Sequence, residues 1–437
     1  MLITERRLGD RLGEVFSEYR KHGIPRQTLY KGIQASARVD EGVAVTPLYS
    51  VQEMVRPLFG KGAPNPPRIG DHPDFMHLKG TGATQFCPIT TLFLDIENST
   101  RLGLLLGPED AFRVKNAIIC MAIEIINAFD GHVHRIMGDA VMAYFGGTRV
   151  TSETGAIDAV NCAAFLRYFF GRAILPRLNE GGFGDPFGIR MGLDFGPEEQ
   201  VLWSSYGYPG MNEVTATSFY VDVASKLQNQ APRNQVMLGQ SLRDFIDMPA
   251  ELLRVKHAQI RGVMTLEPFI LPNYTDREGK PLNYGKHLLR WEDYLKVSGV
   301  AVADAGAFFP DETIPVPFVV SAAIASGNGG AVERPYMACS EAIPKGKWIR
   351  FEVHAPTVGL VPSTVRFTVE NHGEEARRKG GENHGNHEVT YAVDNGRGQP
   401  AAVHYEYADY RGLHYMVVDV TFRGGLTRTR TFGVYVG

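Results

Sequence analysis

Two stretches, ITTLFLDIENST at residues 89–100 and GHVHRIMGDAVMAYFG at residues 131–146, decide the fold of this 437-residue chain. The run ITTLFLDI is short, apolar and rich in β-branched residues, which predicts a buried strand. GHVHRI and AVMAYF flank a Met-Gly-Asp turn, which predicts a β-hairpin. Asp95 ends the strand and Asp139 lies on the hairpin turn. A strand beside that hairpin would bring both carboxylates to one edge of a sheet.

Each of the two aspartates also has a simpler interpretation. Asp95 could cap a turn or a helix, and Gly138-Asp139 is a common pair in turns. Together they are more informative, because two neighbouring carboxylates bind Mg²⁺ or Mn²⁺, and a pair of such ions suits phosphoryl chemistry. The pair therefore predicts a divalent-metal site at the sheet edge.

The chain around these stretches mixes helices and strands. Helical patterns cover Pro108–Phe129, residues 152–170 and Tyr220–Gln228, while residues 187–196 and Val236–Leu238 are typical of strands. This order fits an α+β unit, a mixed sheet with helices on one face. We place this unit at residues 89–271, after an N-terminal extension at 1–88 with one amphipathic helix.

The last part of the chain changes character. Seven short alternating runs, separated by Gly, Pro and Asn, fall within residues 318–437 and predict an all-β sandwich. Residues 272–317 are predicted to be a linker, with one helix around Tyr284–Lys296. The Gly-rich stretch HGEEARRKGGENHGNHE at 372–388 contains three histidines. We interpret it as an exposed loop, because no cysteine or regular ligand spacing accompanies them.

Composition excludes several classes of protein. There are 45 Lys and Arg against 48 Asp and Glu, a net charge of −3, which argues against a nucleic-acid binder. Four cysteines without a Cys-x-x-Cys pair favour a reducing cytoplasm. The charged start lacks a signal-peptide core, and the apolar stretch Ala117–Phe129 is too short to span a bilayer. The sequence therefore predicts a cytoplasmic protein that binds neither nucleic acid nor membrane.

The two quoted stretches resemble the signature segments of class III nucleotide cyclases. Those are a strand ending in Phe-x-Asp-Ile-x-x-x-Thr and a hairpin close to Gly-x-x-x-Lys-x-x-Gly-Asp-Ala. The resemblance covers residues 89–271 and implies a ferredoxin-like cyclase domain. It implies that Asp95, the carbonyl of Ile96 and Asp139 hold two divalent metal ions, Mg or Mn, on a nucleoside triphosphate. The main chain from Glu97 to Thr100 would cradle the phosphates.

Two further positions are implied by the resemblance to contact the base, and a third residue is predicted to lie beside it. The base-reading Lys of adenylate cyclases corresponds to Arg135, for which an exposed strand residue is the alternative. The second base-reading position corresponds to Thr215. Tyr49, which precedes the cyclase core, is predicted to fill the space that a purine would need. Arg135 has only hydrogen-bond donors, which suits the two acceptor oxygens of uracil.

The resemblance also extends to the catalytic positions of the family, which are occupied in this chain by other residue types. The family helix Val-Asn-x-Ala-x-Arg is here Val-Asp-Val-Ala-Ser-Lys, so Asp222 and Lys226 take the ribose-orienting and transition-state positions. An ordinary i,i+4 ion pair between them is the alternative. AQIRGVMTLEPFIL resembles the closing family segment and implies that Arg261 contacts the triphosphate, unless it is a plain surface residue.

The sandwich resembles the sensor-type domains found beside second-messenger synthases in bacterial antiviral systems. Together with the cyclase signature, the chain looks like the pyrimidine cyclases of Pycsar phage defence. This implies conversion of UTP, which we favour over CTP and ATP, to cyclic UMP and pyrophosphate, with a separate effector that responds to the product. A cytidylate cyclase, an adenylate cyclase and an inactive nucleotide-binding regulator remain alternatives.

The family also implies a homodimer with two sites between the subunits. One subunit would supply Asp95, Asp139 and Arg135. The other would supply Thr215, Asp222 and Lys226.

Overall fold

The structure is a computed structural model that describes residues 7–22, 49–180, 187–260, 262–304, 308, 318–355, 360–393 and 400–437. Ten α-helices lie within these ranges. They are α1 Leu8–His22, α2 Ser50–Val55, α3 Ser99–Ala128, α4 Ser152–Phe169, α5 Leu175–Glu180, α6 Phe219–Gln230, α7 Gln240–Phe245, α8 Trp291–Lys296, α9 Gly299–Ala303 and α10 Gly373–Lys379. A π-helical turn, Phe170–Ile174, joins α4 to α5.

The same ranges contain twenty-one strands. Twelve precede the sandwich: β1 Thr84–Phe86, β2 Ile89–Glu97, β3 His132–Met137, β4 Ala140–Gly146, β5 Gly188–Gly196, β6 Leu202–Tyr208, β7 Met211–Thr217, β8 Gln235–Gly239, β9 Leu253–Arg254, β10 Lys256–Ile260, β11 Val263–Glu267 and β12 Lys286–Leu289. Nine form the sandwich: β13 Val319–Ala325, β14 Val332–Tyr336, β15 Ala342–Ile343, β16 Trp348–His354, β17 Pro362–Glu370, β18 His387–Ala392, β19 Ala402–Tyr407, β20 Gly412–Phe422 and β21 Thr427–Val436.

A seven-stranded mixed sheet is the frame of the first unit. Its strand order is β3-β4-β2-β5-β8-β12-β9. The pairing of β5 with β8 is parallel, and the other neighbours are antiparallel. The apolar run of β2 therefore lies in the middle of the sheet, between β4 and β5, as its sequence predicts. The α+β class is confirmed.

The two faces of this sheet bury different partners. Leu92, Leu94 and Ile96 of β2 belong to the large core that contains α3 and α4. Met142 and Tyr144 of β4 point the other way and pack with Trp203 of β6. Because side chains alternate along a strand, Asp95 faces the same side as the second cluster. We call these the helix face and the hairpin face of the sheet.

Two elements of this unit differ from the prediction. The hairpin β6–β7, which pairs with β1 in a small sheet, was not predicted, because its Ser, Gly and Thr residues give little hydrophobic alternation. The prediction of a helix around Tyr284–Lys296 is wrong for the first part of that segment. Lys286–Leu289 is strand β12, paired with β8, and the helix begins only at Trp291.

The C-terminal unit is a sandwich of two sheets. One has the order β14-β13-β16-β19 and the other β15-β21-β20-β17-β18. Its core lies between them, where Phe351 and Val353 of β16 meet Phe367 of β17 and Val418 of β20. All seven predicted alternating runs are strands, which confirms the all-β sandwich.

The sandwich and the first unit share buried contacts. Asn161 of α4 donates from Nδ2 to the carbonyl of Cys339 at 2.7 Å, and its Oδ1 accepts from the Tyr294 hydroxyl at 2.7 Å. Tyr435 of β21 packs in the same apolar cluster as α4. The two units are therefore joined by packed side chains.

Within the described ranges, no helix is both long and apolar enough to span a membrane.

Candidate active site

The structure brings the two predicted metal-binding aspartates to one sheet edge. β2 and β4 are antiparallel, with Asp95 opposite Ala140, the residue that follows Asp139. The amide of Ile96 donates to the carbonyl of Asp139 at 3.4 Å. Asp95, Ile96 and Asp139 therefore lie together where β2 ends and the β3–β4 hairpin turns.

The carboxylate of Asp95 pairs with an arginine, and the oxygen atoms around it are of the type that a divalent cation prefers. The Asp95 carboxylate accepts a hydrogen bond from the guanidinium of Arg190, on β5, at 2.5 Å. Glu97 lies on the same side of β2 and has a buried carboxylate oxygen without a hydrogen-bond partner. Two aspartates and a main-chain carbonyl form an oxygen-only donor set, which Mg²⁺ and Mn²⁺ prefer. The residues present therefore fit such ions.

The segment predicted to cradle the phosphates begins helix α3. Asn98 precedes the helix in a left-handed conformation, with φ of 61°, and Thr100 is exposed in the first turn. Helix N-termini present free N–H groups and favour anions. Gly107 interrupts α3 with φ of 73° and ψ of 167°, and Pro108 follows it. The first two turns are thus separated from the long buried part of the helix.

The base-reading candidates lie on the hairpin face. Arg135 donates from Nε to the Glu213 carboxylate at 2.8 Å, and its terminal nitrogen also contacts that group. Glu213 and Thr215 alternate on β7, and the Thr215 hydroxyl bonds to the Tyr144 hydroxyl at 3.1 Å. Glu213 was missed from the sequence, because the strand that carries it was not predicted.

The Arg135–Glu213 contact bears on the expected division of the site between subunits. The family resemblance assigned Arg135 and Thr215 to different subunits. In the structure, one chain brings them together, because β3 and β7 meet through the Arg135–Glu213 pair. One chain thus brings together β3 and β7, which carry the two base-reading candidates, and their assignment to different subunits stays a prediction.

Asp222 and Lys226 lie on α6, which packs over β5 and β2. Close packing is possible because Gly192 of β5 lacks a side chain. A Cβ there would lie 2.1 Å from the amide nitrogen of Gln228. Asp222 is exposed, and the Lys226 ammonium lies 5.5 Å from the centre of the Tyr274 ring. In the described part of the chain, no ion pair joins Asp222 to Lys226.

The last two predicted residues lie elsewhere or are not described. Tyr49 precedes α2, and the amide of Val51 donates to Glu124 of α3 at 3.0 Å. Tyr49 is therefore on the helix face, and within one chain it is not beside Arg135. A wall formed by Tyr49 would have to come from a second subunit. Arg261 lies outside the described residues.

Comparison with known proteins covers both units. Residues 306–437 match the adenylyl/guanylyl and SMODS C-terminal sensor domain. A cytidylate cyclase of Escherichia coli is 37% identical over 428 residues, which cover 94% of this chain and 88% of that protein. A cytidylate cyclase of Staphylococcus aureus is 34% identical over 374 residues, or 84% of this chain and 82% of that protein. The crystal structure of the adenylyl cyclase CyaB from P. aeruginosa is 20% identical, covers 47% of this chain and 95% of that chain, and has a TM-score of 0.38.

Proposed function

Because the chain belongs to the nucleotide cyclase family that includes the cytidylate cyclases, we propose that it makes a cyclic pyrimidine nucleotide. The substrate is a pyrimidine nucleoside triphosphate, and the products are the 3′,5′-cyclic monophosphate and pyrophosphate. The juxtaposition of Asp95, Ile96 and Asp139 at one sheet edge carries the proposal, together with the curated relatives.

In this proposal, the ribose 3′-oxygen forms a bond to the α-phosphorus, and the bond from that phosphorus to the bridging oxygen of pyrophosphate breaks. Asp95, the carbonyl of Ile96 and Asp139 would hold two divalent ions, Mg or Mn. Such ions neutralise triphosphate charge and favour ionisation of the attacking hydroxyl. The amides from Glu97 to Thr100 would bind phosphate oxygens.

Asp222 and Lys226 have separate roles. Asp222 would accept a hydrogen bond from a ribose hydroxyl and so orient the attacking oxygen. Lys226 would place its positive charge near the phosphates as negative charge moves to the leaving group, and Arg261 would contact the triphosphate. A lysine supplies one compact charge, whereas arginine supplies a planar fork.

We propose that two copies of the chain form the complete site. Large apolar side chains are exposed in a single chain: Leu104 is 85% exposed, Met211 76% and Val263 64%. Exposed apolar surface of this kind is typical of an interaction surface. These residues lie on α3, β7 and β11.

The proposal for the base has two parts, a preference for pyrimidines over purines and a preference between UTP and CTP. A pyrimidine is preferred to a purine, and UTP remains our prediction from the donors of Arg135. CTP is the second candidate, because the relatives are named cytidylate cyclases and Arg135 is paired with Glu213. The Glu213 carboxylate is an acceptor that could bind the amino group of cytosine.

A competition assay tests the proposal. The purified chain is incubated with Mn²⁺ and equimolar ATP, GTP, CTP and UTP, and the products are separated by chromatography. A cyclic pyrimidine nucleotide as the main product supports the proposal, and the product identifies the base. Cyclic AMP as the main product would refute it. Binding of a nucleotide without any product would favour an inactive regulator.

The antiviral role belongs to the same proposal. We propose that the product activates a separate effector during phage infection. Cells that carry the chain together with such an effector should survive phage challenge better than cells that carry the effector with the Asp95→Asn variant. Equal survival in the two strains would contradict this role.

A further inference from the structure

The open side of the sandwich brings together three side chains that the cyclase mechanism does not use. β18 is the last strand of the five-stranded sheet, and β19 is the last strand of the four-stranded sheet. His387 begins β18, whereas His404 and Glu406 alternate on β19. Their ligand atoms all lie within 4.8 Å of one another. The cluster therefore spans the gap between the edges of two sheets.

Both imidazoles point their Nε2 atoms at one carboxylate oxygen. The distance to Oε2 of Glu406 is 3.1 Å from His387 and 3.3 Å from His404. Ligand atoms around a tetrahedral zinc ion, at Zn–N distances of about 2.0–2.1 Å, are separated by about 3.3 Å. The spacing of this cluster is thus close to what one bound ion requires.

The second ring nitrogen of His387 shows which of its two nitrogens carries the hydrogen. Nδ1 of His387 lies 3.0 Å from the carbonyl of Gly385, which can only accept, so Nδ1 carries the hydrogen. In the neutral ring, Nε2 then has a lone pair that faces a carboxylate, which is also an acceptor. Nothing holds those two acceptors together unless a proton or a metal cation lies between them.

His404 has the matching arrangement. Its Nδ1 lies 3.1 Å from the Tyr391 hydroxyl, and its ring stacks on Phe367 with the ring centres 5.2 Å apart. Ligating histidines usually use their second nitrogen in such a hydrogen bond, which fixes the ring. His404 is buried, with a side chain that is 8% exposed, while His387 is 45% exposed. One side of the cluster is therefore rigid, and the other is accessible to an ion from solvent.

We propose that His387, His404 and Glu406 bind one Zn²⁺ ion, with water as the fourth ligand. Two imidazoles and one carboxylate form a set that suits zinc, whereas Mg²⁺ prefers oxygen ligands. The ion would link the two sheets of the sandwich at their open side. The interpretation of residues 372–388 as an exposed loop is wrong in part, because α10 covers Gly373–Lys379 and β18 begins at His387. The proposal differs from that interpretation in giving His387 a metal. Two of the three ligands lie beyond that stretch, at i,i+2 spacing on another strand.

The chain contains a matched control. His354 and Glu352 lie on β16 with the same i,i+2 spacing, and Nε2 of His354 is 2.9 Å from Oε2 of Glu352. In the described part of the chain, no third ligand atom joins that pair within the distance that defines the first cluster. A variant of His354 therefore removes a similar histidine–carboxylate contact without removing a predicted zinc ligand.

The test measures retained zinc and thermal stability in the full chain. Protein stripped with chelator is loaded with ZnCl₂, dialysed and analysed by elemental mass spectrometry. We expect that His404→Gln, Glu406→Gln and His387→Gln each retain about one zinc ion fewer per chain than the wild type and His354→Gln. Zinc should raise the melting temperature of the wild type and of His354→Gln, and MgCl₂ should not reproduce this increase.

Two outcomes would overturn the proposal. One is equal zinc content in the wild type and all three ligand variants, and the other is a wild type that retains no zinc. Because His404 is buried, its variant could fail to fold. The exposed His387→Gln variant should remain folded, and its loss of zinc would then decide the question. The result does not depend on which nucleotide the enzyme uses.

Discussion

Arg135 of β3 donates from Nε to the Glu213 carboxylate of β7 at 2.8 Å. The pair presents a donor group and an acceptor group side by side, next to the Thr215 hydroxyl. A pyrimidine edge also combines donors and acceptors, and cytosine differs from uracil at position 4, where an amino group replaces a carbonyl. Glu213 is therefore the residue at which the choice between the two bases should be most sensitive.

The first prediction concerns this choice. Glu213→Gln replaces an acceptor by an amide that can also donate, so the ratio of kcat/KM for CTP to that for UTP should fall about ten-fold. A hydrogen bond to a charged group contributes about 1.5–3 kcal/mol, and a ten-fold change corresponds to the lower end of that range. Steady-state kinetics with each nucleotide measure the ratio. Glu53→Gln, on α2, is the control and should leave it unchanged. The same ratio in Glu213→Gln and wild type would exclude Glu213 from base recognition.

The second prediction concerns the metal-binding aspartates. Asp95→Asn and Asp139→Asn should each lower kcat by roughly 100-fold or more, because each removes charge from a metal anchor. Both changes preserve shape, so the circular dichroism spectrum and oligomeric state should remain unchanged. Asp409→Asn, at an exposed position in the sandwich, is the matched control. Near wild-type activity in either variant with Mn²⁺ would remove that aspartate from the site.

The third prediction concerns α6. Lys226→Ala should lower kcat by about ten-fold or more and change KM less, since its charge acts mainly in the transition state. Asp222→Asn should retain more activity than Asp222→Ala, because the amide can still bond to a ribose hydroxyl. Initial rates over a range of substrate concentrations separate the two parameters. If all three variants match the wild type, α6 does not face the substrate.

The fourth prediction concerns the packing of α6. Gly192→Ala should destabilise the chain by about 1–3 kcal/mol or more, because the added methyl group would overlap main-chain atoms of Gln228 and Ala224. The control is Gly82→Ala, where a Cβ would have nothing within 4 Å. Urea unfolding measures the difference between the two variants. Equal midpoints would mean that α6 can move away from the sheet without cost.

The fifth prediction concerns acid sensitivity. Burial lowers the pKa of His414 to about 4, and its nitrogens bond to the amide of His372 and the carbonyl of Tyr410. Since the unfolded histidine titrates near 6.5, the unfolded chain binds more protons between pH 6.5 and 4. Stability should therefore fall as pH falls through that window. His414→Gln should show a shallower fall in melting temperature, and identical slopes would contradict this origin.

Local patterns predicted much of the fold. The apolar run of β2 and the Met-Gly-Asp turn are local features, and both are where the sequence places them. The seven sandwich strands also follow from alternation within single segments. By contrast, β6–β7 lacks alternation, and β12 is a strand only because β8 and β9 flank it. Pairing with distant strands is not visible in a short window of sequence.

The prediction of the candidate site was limited in the same way, because contacts between distant residues are not visible in a short stretch of sequence. Asp95 and Asp139 could be predicted as neighbours, because strand and hairpin geometry fixes their relation. Glu213 could not, because its importance depends on contact with Arg135, 78 residues away. The zinc ligands were missed for a similar reason. His387 and Glu406 lie on strands of different sheets, and only the folded sandwich brings them together.

The buried contacts of Asn161 with Cys339 and Tyr294 limit how the sandwich can move relative to the first unit. A domain that is joined by a flexible linker can move as a rigid body, and this movement alone can expose or block a site. Here the interface is part of the interior, so the chain should melt in one calorimetric transition, and removal of the sandwich should expose an apolar surface. A stimulus that reaches the sandwich would have to be transmitted by small shifts of packed side chains along α4 towards β2.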